Sequence, residues 1–541
     1  TRMYVAEGHT GASGQFSRLF RSDDVATGAP TFTNLTSSNP ADPGYGSFNY
    51  CTGQCWYDNF VVTPPGYPDI VYLGGSYLYG EVSGISNGRG VVLSTDAGAS
   101  FTDLTMDATD PIHPNGIHPD QHSLVVNPND PFQFFESGDG GIVRSSGQFA
   151  DISSNCNSRG LSPTALARCQ QLLSRVPTLI ESLNKGLSTL QFQSLSYSPH
   201  NTNIVQGGTQ DNGTWQSTGN TAKWIETMVG DGGQSGFDVA DPHFRFHTFA
   251  GQQPDVNFSD GDVADWNWIG DPLFNGDAAE FYVPMISDPK VSGTMFVGTA
   301  HVWRTKTRGM GSMTLADFRL HCNEWTGDFA VTCGDWEPLG GPATTARLTS
   351  TSYGADRSGG DVAAVERAPG DTSTLWAATS TGRVFVSKNA DLEPASSVTF
   401  ARIDSLAAND PNRYVSGIYI DSADPNHAWI SYSGFDASTP ATPGHVFEVT
   451  YDPIGGTATW TDRSYDFDDL PATDIVRDDA TGDLYAASDF GVHRLMAGST
   501  SWGLAAPGMP NVEVAGLTIV PSVRKIYAAT HGLSAWSLTL P

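Results

Sequence analysis

Short runs of alternating apolar and polar residues recur along the whole chain, with a repeat of about 40–60 residues. Each repeat joins an apolar strand that ends in a proline-containing turn to a second strand rich in Tyr, Phe, Ala or Gly. A third strand follows, and after it come a polar turn and an aromatic residue. In one repeat FVVTPPGYPDIVYLGG precedes GVVLSTDAGASF, and in the next SLVVNPNDPFQFFESGDGG precedes IVRSSGQF. This alternation predicts half-buried antiparallel strands.

One such repeat cannot bury both faces of its sheet, but sheets arranged around an axis can. Four-stranded sheets in that arrangement leave few open edges, whereas the repeats of a linear β-solenoid are usually shorter. We count nine full repeats after a partial first one, MYVAEG…SRLFRSDD…FTNL. The pattern predicts an all-β protein, a β-propeller of four-stranded blades over residues 1–541, and it leaves one large ring and two smaller rings open.

Residues 161–188 depart from this alternation and show a helical stripe of leucine, isoleucine and valine. Ser162 and Pro163 form a typical N-cap and first-turn pair. Because Pro177 divides the stripe and Gly186 ends it, the pattern predicts two short helices. We expect them to form an insertion between blades that either walls a binding cleft or caps an exposed side of the propeller.

The segment VVLSTDAGASF contains the pattern S-x-D-x-G-x-S-F, formed by Ser94, Asp96, Gly98, Ser100 and Phe101. An aspartate can accept hydrogen bonds from the backbone of its own turn, and glycine permits a positive φ. The aromatic residue is expected to pack between blades. The pattern is degraded in RSSGQF, QSTGNTAKW and RTKTRGMG.

This segment resembles the Asp-box, the BNR repeat of a β-propeller superfamily that includes sialidases, xyloglucan-cleaving glycosidases and sortilin-type receptors. At the level of the repeat, the resemblance covers most of the chain. It implies a propeller fold, and it implies that the box joins the third and fourth strands of a blade on the face away from the active site. Asp96 is therefore expected to be structural and not catalytic.

The chain has 541 residues, of which 39% are hydrophobic and 59 are glycine, so it can build a large core with many tight turns. Aspartate and glutamate outnumber lysine and arginine 58 to 28, which gives a formal net charge of -30. This charge disfavours nucleic acid and anionic membranes and favours neutral or cationic partners, including calcium. No apolar run of about 18 residues predicts a transmembrane helix. The first residues, TRMYVAEG, are typical of a strand and not of a signal peptide.

The six cysteines lie in three close pairs. Their even number and close spacing predict three disulfide loops and an exported protein, secreted or periplasmic. Zinc is the competing interpretation for CTGQC, although no second Cys or His pair lies at zinc-finger spacing. The predicted pairs are Cys51 with Cys55, Cys156 with Cys169, and Cys322 with Cys333.

Polar residues concentrate in turns that a propeller would bring to one face. When the strands of a blade are lettered A to D from the axis outward, antiparallel connections alternate between the two faces, so B–C turns and D–A connections share a face. We expect their residues to converge around one mouth of the central tunnel. The B–C turns contain His9, Asp139, Gln210, Asp211, Asn212, His301, Asp489 and His531, and the D–A connections contain His118, Asp120, His122, Asp231, Arg357 and Asp361.

Carboxyl, imidazole and amide groups in this arrangement indicate a carbohydrate-active enzyme, and the leading hypothesis is a glycoside hydrolase. Such an enzyme needs two carboxyls that flank the bond, one protonated and one ionised. SGDGGIVRS resembles the Asp-Gly-Gly turn that carries a catalytic acid in the xyloglucan-cleaving enzymes. We predict Asp139 as one catalytic carboxyl, with Asp489 or Asp211 as the other. The alternative is that these Asp-Gly pairs only make tight turns.

The remaining polar residues of this face are predicted to bind the substrate, a polysaccharide or oligosaccharide, with no nucleic-acid partner and no membrane insertion. Tryptophans such as Trp536 are expected mainly in the core between blades, with one or two at the mouth available to stack on sugar rings. The predicted substrate-binding residues are His118, Asp120, His122, Gln210, Asn212, Asp231, His301, Arg357, Asp361 and His531.

Other functions remain open. A sialidase would need an arginine triad, and Arg357 is the only clear arginine at this face. A non-catalytic, sortilin-like propeller that binds peptides or proteins fits the fold, and so does a propeller lyase. A metal-dependent oxidoreductase is also open, because IHPDQH places His118 and His122 four residues apart around Asp120, with His113 just before. The alternative for these residues is a set of hydrogen-bonded turn histidines.

The hydrolase hypothesis requires no cofactor, but two acidic turns suit a structural calcium ion. They are Asp260-Gly-Asp262 and Asn275-Gly-Asp277. Neither matches a full EF-hand loop.

Overall fold

The computed structural model describes residues 1–8, 16–106, 116–274, 276–341 and 346–541. The chain forms two compact units, Thr1–Leu187 and Ser188–Pro541, which we call the first and the second unit. Nearly all of their regular elements are short antiparallel strands, and most sheets have four strands. The predicted all-β fold, a β-propeller of four-stranded blades, is confirmed.

Seven antiparallel sheets follow one another along the second unit. Within each sheet the strands lie side by side in the order in which the chain forms them, as in a propeller blade. The last sheet has three strands. A short helix, α2 (Leu315–Cys322), lies between the third and fourth strands of the third sheet. The strands are β14 (Ser196–Tyr197), β15 (Ile204–Thr209), β16 (Gly213–Thr218) and β17 (Trp224–Met228); β18 (Ser235–Phe237), β19 (Arg245–Thr248), β20 (Pro254–Asn257) and β21 (Trp266–Trp268); β22 (Met285–Ser287), β23 (Met295–Gly298), β24 (Val302–Thr305) and β25 (Glu337–Pro338); β26 (Val362–Arg367), β27 (Leu375–Thr379), β28 (Val384–Ser387) and β29 (Ala401–Arg402); β30 (Val415–Ile420), β31 (His427–Tyr432), β32 (Val446–Asp452) and β33 (Thr457–Asp462); β34 (Ala472–Asp478), β35 (Asp483–Ser488), β36 (Gly491–Leu495) and β37 (Trp502–Leu504); and β38 (Val514–Val520), β39 (Lys525–Thr530) and β40 (Ala535–Thr539).

The second unit closes into a ring around one central channel of about 220 Å³. In every sheet, the first strand or the residue just before it lines this channel. The ring closes between the last sheet and the segment that precedes β14: Phe192 N donates to Thr530 O at 3.0 Å, and Ser534 N donates to Leu190 O at 3.0 Å. The second unit is therefore a seven-bladed ring. The channel residues, one per sheet, are Leu195, Gln234, Met285, Ala364, Gly417, Ile475 and Leu517.

Large buried side chains fill the spaces between neighbouring blades of this ring. Trp266 and Trp376 have no exposed surface. Trp266 Nε1 donates to Thr227 O of the preceding blade at 2.7 Å, and Trp376 Nε1 donates to Pro425 O of the following blade at 3.0 Å. Each indole buries a large apolar area and satisfies its only donor across a blade boundary. These contacts fix the position of one blade against the next, and thereby the positions of the turns at the rim.

The first unit contains three sheets of the same type, the first of which has three strands. The other two share a core that includes Tyr72, Leu93, Leu124 and Phe134. A two-stranded sheet, β11 (Phe149–Ala150) with β12 (Val176–Pro177), flanks α1 (Pro163–Leu172) in sequence. The strands of the three sheets are β1 (Met3–Glu7), β2 (Arg18–Ser22) and β3 (Thr33–Asn34); β4 (Phe60–Val62), β5 (Val71–Gly74), β6 (Val91–Ser94) and β7 (Thr102–Asp103); and β8 (Gln121–Asn127), β9 (Asp130–Gly138), β10 (Gly141–Ser145) and β13 (Ile180–Ser182).

The prediction of two helices in residues 161–188 is half correct. Helix α1 begins at Pro163 with Ser162 as its N-cap, as expected. The second predicted helix is wrong, because this part of the chain forms β12 and β13, and β13 is the outer strand of the sheet that contains β8 to β10. Both segments begin with a buried β-branched residue. Pairing with an available sheet edge outweighs the helical spacing of the apolar residues.

The three predicted disulfides are present, and the zinc interpretation of CTGQC is wrong. Cys51 is bonded to Cys55, Cys156 to Cys169, and Cys322 to Cys333. The second of these ties α1 to the turn before it. Among the described residues, no helix has the length and the apolar character needed to cross a membrane.

The turn around Asp96 has the local geometry that its sequence predicts. It joins β6 and β7, the third and fourth strands of their sheet. Ser100 N and Oγ donate to the Asp96 carboxylate at 2.9 and 2.6 Å, and Ser94 Oγ donates at 2.8 Å. Burial tends to raise the pKa of Asp96, but these hydrogen bonds outweigh it and hold the pKa below its usual value. Phe101 is buried. These contacts support a structural role for Asp96.

Candidate functional site

The first unit gathers five polar side chains from three separate segments of the sequence, and we call them the Asp–His cluster: Asp58, His118, Asp120, His122 and Asp139. Asp58 precedes β4, His118 and Asp120 precede β8, His122 lies in β8, and Asp139 lies in the β9–β10 turn. The antiparallel pairing of β8 with β9 brings the start of one strand to the end of the other. Asp139 N therefore donates to Asp120 O at 3.3 Å. The structure brings IHPDQH and SGDGG together.

His122 lies at the centre of the cluster. Its Nε2 is 2.7 Å from Asp139 Oδ1 and 3.7 Å from Asp58 Oδ1. The His118 Nδ1 atom is 3.9 Å from Asp120 Oδ2, and it accepts a hydrogen bond from Asp120 N at 3.3 Å. The side chain of His122 is 41% exposed, whereas that of Asp58 has no exposed surface. The cluster is therefore open to solvent at His122 and closed at Asp58.

Asp58 is a member of the cluster that the sequence reasoning missed. Burial raises the pKa of Asp58 well above its usual range, and the nearby carboxyls of Asp120 and Asp139 raise it further. Burial also raises the pKa of Asp120. Like charges so close together cannot all ionise at neutral pH. The structure thus places carboxyls with strongly different environments around one imidazole, an arrangement typical of functional sites.

The CTGQC disulfide loop supplies a second layer around the cluster. Gln54, within this loop, donates from Nε2 to Asp120 Oδ1 at 3.2 Å and to the Tyr57 hydroxyl at 2.7 Å. The Tyr57 ring lies 5.6 Å from the His122 ring, measured between centroids. Burial, followed by the charges of Asp120 and Asp58, raises the pKa of Tyr57. The disulfide therefore helps to position groups that contact the cluster.

In the second unit, a carboxyl pair lies at the boundary of the last two sheets. Asp489 occupies the β35–β36 turn, and Glu513 directly precedes β38. His531, in the β39–β40 turn, places Nδ1 3.1 Å from Glu513 Oε1, and its Nε2 is 3.1 Å from Gln193 Oε1. Burial, and then the charge of Glu513, raises the pKa of Asp489. The hydrogen bond with His531 lowers the pKa of Glu513. Sequence reasoning identified Asp489 and His531 but missed Glu513.

A pocket of about 270 Å³ lies between the sixth and seventh sheets of the ring. Its walls include Phe490, Leu504, Met509 and Trp536. Phe490 directly follows Asp489 in the sequence and is 55% exposed, and Trp536 is 37% exposed. Aromatic walls with a few polar groups at the edge are typical of small-molecule sites.

A second acidic turn of the ring involves Asp211 and Asp231. Asp211 N donates to Asp231 Oδ1 at 3.1 Å, and the Tyr282 hydroxyl donates to the same oxygen at 3.0 Å. Asp211 has a φ of 60°, so it takes the left-handed position of a tight turn. Gln210 N donates to Gln191 O at 3.0 Å, and Asn212 Nδ2 donates to Gln210 O at 3.1 Å. These contacts agree with the alternative interpretation from the sequence, in which the turn that contains Asp211 has a structural role.

Two of the predicted substrate-binding residues are engaged in internal ion pairs. His301 has no exposed side-chain surface and lies against the carboxylate of Asp277. Arg347 Nη2 is 2.9 Å from the other oxygen of Asp277. These contacts favour a structural role for His301.

Arg357 is held in the same way. Its Nη1 donates to Asp410 at 2.8 Å, and its Nη2 contacts the buried Asp404. Asp361 is half-buried, its backbone N–H donates to Ser380 Oγ at 2.9 Å, and burial raises its pKa. Arg357 is thus neutralised by two carboxylates and is poorly placed to clamp an anionic substrate.

Several predictions are not decided by the structure. His9, His113 and Asn275 lie outside the described residues. Asp139 belongs to the first unit, whereas Asp211 and Asp489 belong to the second, so the pairing of Asp139 with either of them stays a prediction.

Structural calcium also stays a prediction. The carboxylate of Asp260 already contacts two basic side chains, His243 at 2.7 Å and Arg245 at 3.1 Å. Asp277 meets His301 and Arg347.

Comparisons with known proteins give little beyond the fold. No protein-family model matches the chain, and no curated protein matches it. Among solved structures, the chain is similar to the β-propeller domain of Cps50 (Swd1) from Myceliophteria thermophila, with 9% sequence identity and a TM-score of 0.43. The match covers 64% of this chain and 97% of that domain. We base the propeller fold on the sheet topology and on the central channel of the second unit.

Proposed function

We propose that the protein is a carbohydrate-active enzyme, a glycoside hydrolase whose acid and base are Asp489 and Glu513 of the second unit. The observation that carries this proposal is the opposite shift of the two pKa values. Burial and a neighbouring charge raise the pKa of Asp489, while His531 lowers that of Glu513. Two carboxyls with diverging pKa values are what glycoside hydrolysis requires.

In the proposed mechanism, Asp489 is the general acid that donates a proton to the glycosidic oxygen of the leaving group. Glu513 acts on the other side of the bond, as base towards water or as nucleophile. His531 holds the ionised form of Glu513 through the contact at 3.1 Å. Gln193, on the far side of the imidazole, fixes the orientation of His531.

The aromatic pocket supports carbohydrate as the substrate class. Phe490, the residue after Asp489, and Trp536 present exposed side chains in this pocket. Flat apolar rings next to polar groups suit a sugar, which has apolar ring faces and hydroxyls at its edges. We assign this pocket to one sugar unit of an oligosaccharide or polysaccharide.

The Asp-box resemblance and the disulfides support the proposal in a more general way. The turn from Ser94 to Phe101 resembles the Asp-box of sialidases and xyloglucan-cleaving glycosidases, but also that of sortilin-type receptors. Three disulfides are typical of an exported protein. We therefore propose that the protein is secreted or periplasmic, where polysaccharides are accessible.

Release of reducing sugar from a panel of polysaccharides tests this function. We expect wild-type protein to release sugar from at least one substrate, and we expect Asp489→Asn and Glu513→Gln each to lower kcat/KM by about a hundredfold or more. Asp468→Asn is the matched control, because Asp468 is another exposed acid of the second unit. Its activity should equal that of the wild type.

Two results would contradict the proposal. One is the absence of turnover on the whole panel, which would favour a non-catalytic, sortilin-like binding function. The other is turnover that persists unchanged in both carboxyl variants, which would place the chemistry elsewhere in the protein.

A further inference from the structure

We propose that the Asp–His cluster of the first unit binds a divalent transition-metal ion, with Asp58, His122 and Asp139 as ligands. This site is separate in sequence from the proposed hydrolase residues and does not depend on their activity. Three features carry the inference: the spacing of the donor atoms, the environment of Asp58, and the mixture of carboxylate and imidazole donors.

The donor atoms are close enough to share one ion. One polar atom from each of the three residues lies within 4.8 Å of the other two. Ligand atoms that surround an octahedral ion at about 2.1 Å lie about 3.0 to 4.2 Å from one another. The observed distances from His122 Nε2, 2.7 Å to Asp139 and 3.7 Å to Asp58, need only small side-chain movements to reach this range.

The environment of Asp58 is a second observation that favours a ligand, and it is independent of the distances between donor atoms. Its side chain has no exposed surface, and neither carboxylate oxygen has a hydrogen-bond partner in bonding geometry. In the part of the chain that the structure describes, no arginine or lysine forms an ion pair with Asp58 or Asp120. A buried carboxylate without a partner is costly, and an ion is one of the groups that explains it. A metal cation would compensate the charge of this buried carboxylate.

A neighbouring triad extends the site. His118, Asp120 and Asp139 also place one polar atom each within 4.8 Å of the others. Asp139 belongs to both triads, so its carboxylate is the group that connects them. Gln54 donates to Asp120 Oδ1 at 3.2 Å. Such hydrogen bonds to a carboxylate of the outer layer fix its orientation and tune the affinity for the metal.

The donor set favours a transition metal over calcium or magnesium. Calcium and magnesium prefer oxygen ligands alone, whereas zinc, manganese and iron accept imidazole nitrogen together with carboxylate oxygen. Here an imidazole lies at the centre of the triad, and it is the most exposed of the three side chains. An ion can therefore enter through His122 and reach the buried Asp58 behind it.

Calorimetric titration of the full chain, after removal of metal with a chelator, tests the site. The probes are Zn²⁺ and Mn²⁺, with Ca²⁺ as the comparison. We expect Zn²⁺ or Mn²⁺ to bind stoichiometrically and more tightly than Ca²⁺. We expect Asp58→Asn and His122→Ala each to weaken binding at least about tenfold. His122 is 41% exposed, so its variant should fold even if a change at buried Asp58 disturbs the protein.

Matched controls come from a second group of the same composition. Asp436, His445 and Asp469 also bring three polar atoms within 4.8 Å, but Arg413 donates to Asp436 at 2.7 Å. We expect Asp469→Asn to leave metal binding unchanged. The visible absorption spectrum of Co²⁺ bound to the wild type should change in His122→Ala, because a nitrogen ligand is lost.

Three results would overturn the proposal. They are the absence of Zn²⁺ and Mn²⁺ binding, Ca²⁺ binding as tight as that of both transition metals, and equal weakening by His122→Ala and Asp469→Asn. None of these results depends on hydrolase activity. A protein that binds metal without turning over sugar, or the reverse, would separate this inference from the proposed function.

Discussion

The triad of Asp58, His122 and Asp139 and the triad of Asp436, His445 and Asp469 have the same composition, one histidine and two aspartates, but different environments. In the first triad, which belongs to the Asp–His cluster, no donor lies in bonding geometry around the buried Asp58 carboxylate, and burial, together with the neighbouring Asp120 carboxyl, raises the pKa of Asp58. In the second group, Asp436 accepts from Arg413 at 2.7 Å and from Gly444 N at 2.9 Å. Burial tends to raise the pKa of Asp436, but these donors outweigh it and the pKa lies below its usual value. Residue types alone therefore do not identify a ligand site; the supply of local donors does.

The second group acts as a structural clamp for a long loop. The loop between β31 and β32 begins at Ser433 and ends at His445. Asp436 N donates to Asp469 Oδ1 at 2.6 Å, and His445 Nε2 lies 3.2 Å from the same oxygen. Asp436 thus has Arg413 as an opposite charge, and Asp469 accepts a hydrogen bond from the Asp436 backbone. The comparison teaches that the same three residue types form an internally paired group in one place and, in the other, leave a buried carboxylate without an arginine or lysine partner among the described residues, which is where we propose a ligand.

Replacement of Arg413, the arginine that pairs with Asp436 in the second group, should have the largest effect on stability. Arg413 has 4% of its side chain exposed, and it contacts Asp436 and the carbonyl of Gly444. Loss of one partner from a mostly buried ion pair is strongly destabilising, so we expect Arg413→Ala to lower the free energy of unfolding by about 3 kcal/mol. Chemical denaturation of the full chain measures this change. A loss below about 1 kcal/mol would show that Arg413 is not what distinguishes the two groups.

Asp436→Asn should have a smaller and pH-dependent effect. Because the folded-state pKa of Asp436 is depressed, its carboxylate contributes stability above the unfolded pKa of about 4 and loses it as the pH falls through the folded value. We expect the variant to be about 2 kcal/mol less stable at pH 7. The difference from wild type should shrink as the pH falls below about 4. Denaturation midpoints over this pH range measure it, and a constant difference would contradict the explanation.

Substitution of Asp58 by asparagine should have the smallest effect on the free energy of unfolding, and any change should be an increase. In the absence of metal, an amide at this position removes a buried carboxyl that has no donor. We expect Asp58→Asn to leave the free energy of unfolding unchanged or to raise it by up to about 1 kcal/mol. The measurement is chemical denaturation in the presence of a chelator. A loss as large as that in Asp436→Asn would mean that Asp58 is structurally satisfied, and the contrast between the two groups would fail.

Much of the Asp–His cluster was accessible to sequence reasoning because the rule that located it is geometric. Antiparallel strands place every second connection on one face, so IHPDQH and SGDGG were expected to converge, and they do. Asp58 and Glu513 were missed although both lie just before the first strand of a sheet, Asp58 two residues before β4 and Glu513 directly before β38. The feature that could have identified them is the one that identified Asp231, namely an acidic residue in a D–A connection. Neither residue is part of an Asp-Gly motif. The sequence reasoning selected candidates mainly by that motif and therefore did not consider every acid at this position.

The sequence by itself determined the strands, the repeat, the propeller fold and the disulfide pairs, because alternation, turn residues and cysteine spacing are local properties of the chain. Only the tertiary structure decided that seven sheets close into a ring, that Val176–Pro177 and Ile180–Ser182 are strands, and that His301 and Arg357 are held by buried acids. It also decided which carboxylates are satisfied. Closure, edge pairing and charge compensation depend on partners distant in the chain, and no local pattern specifies them.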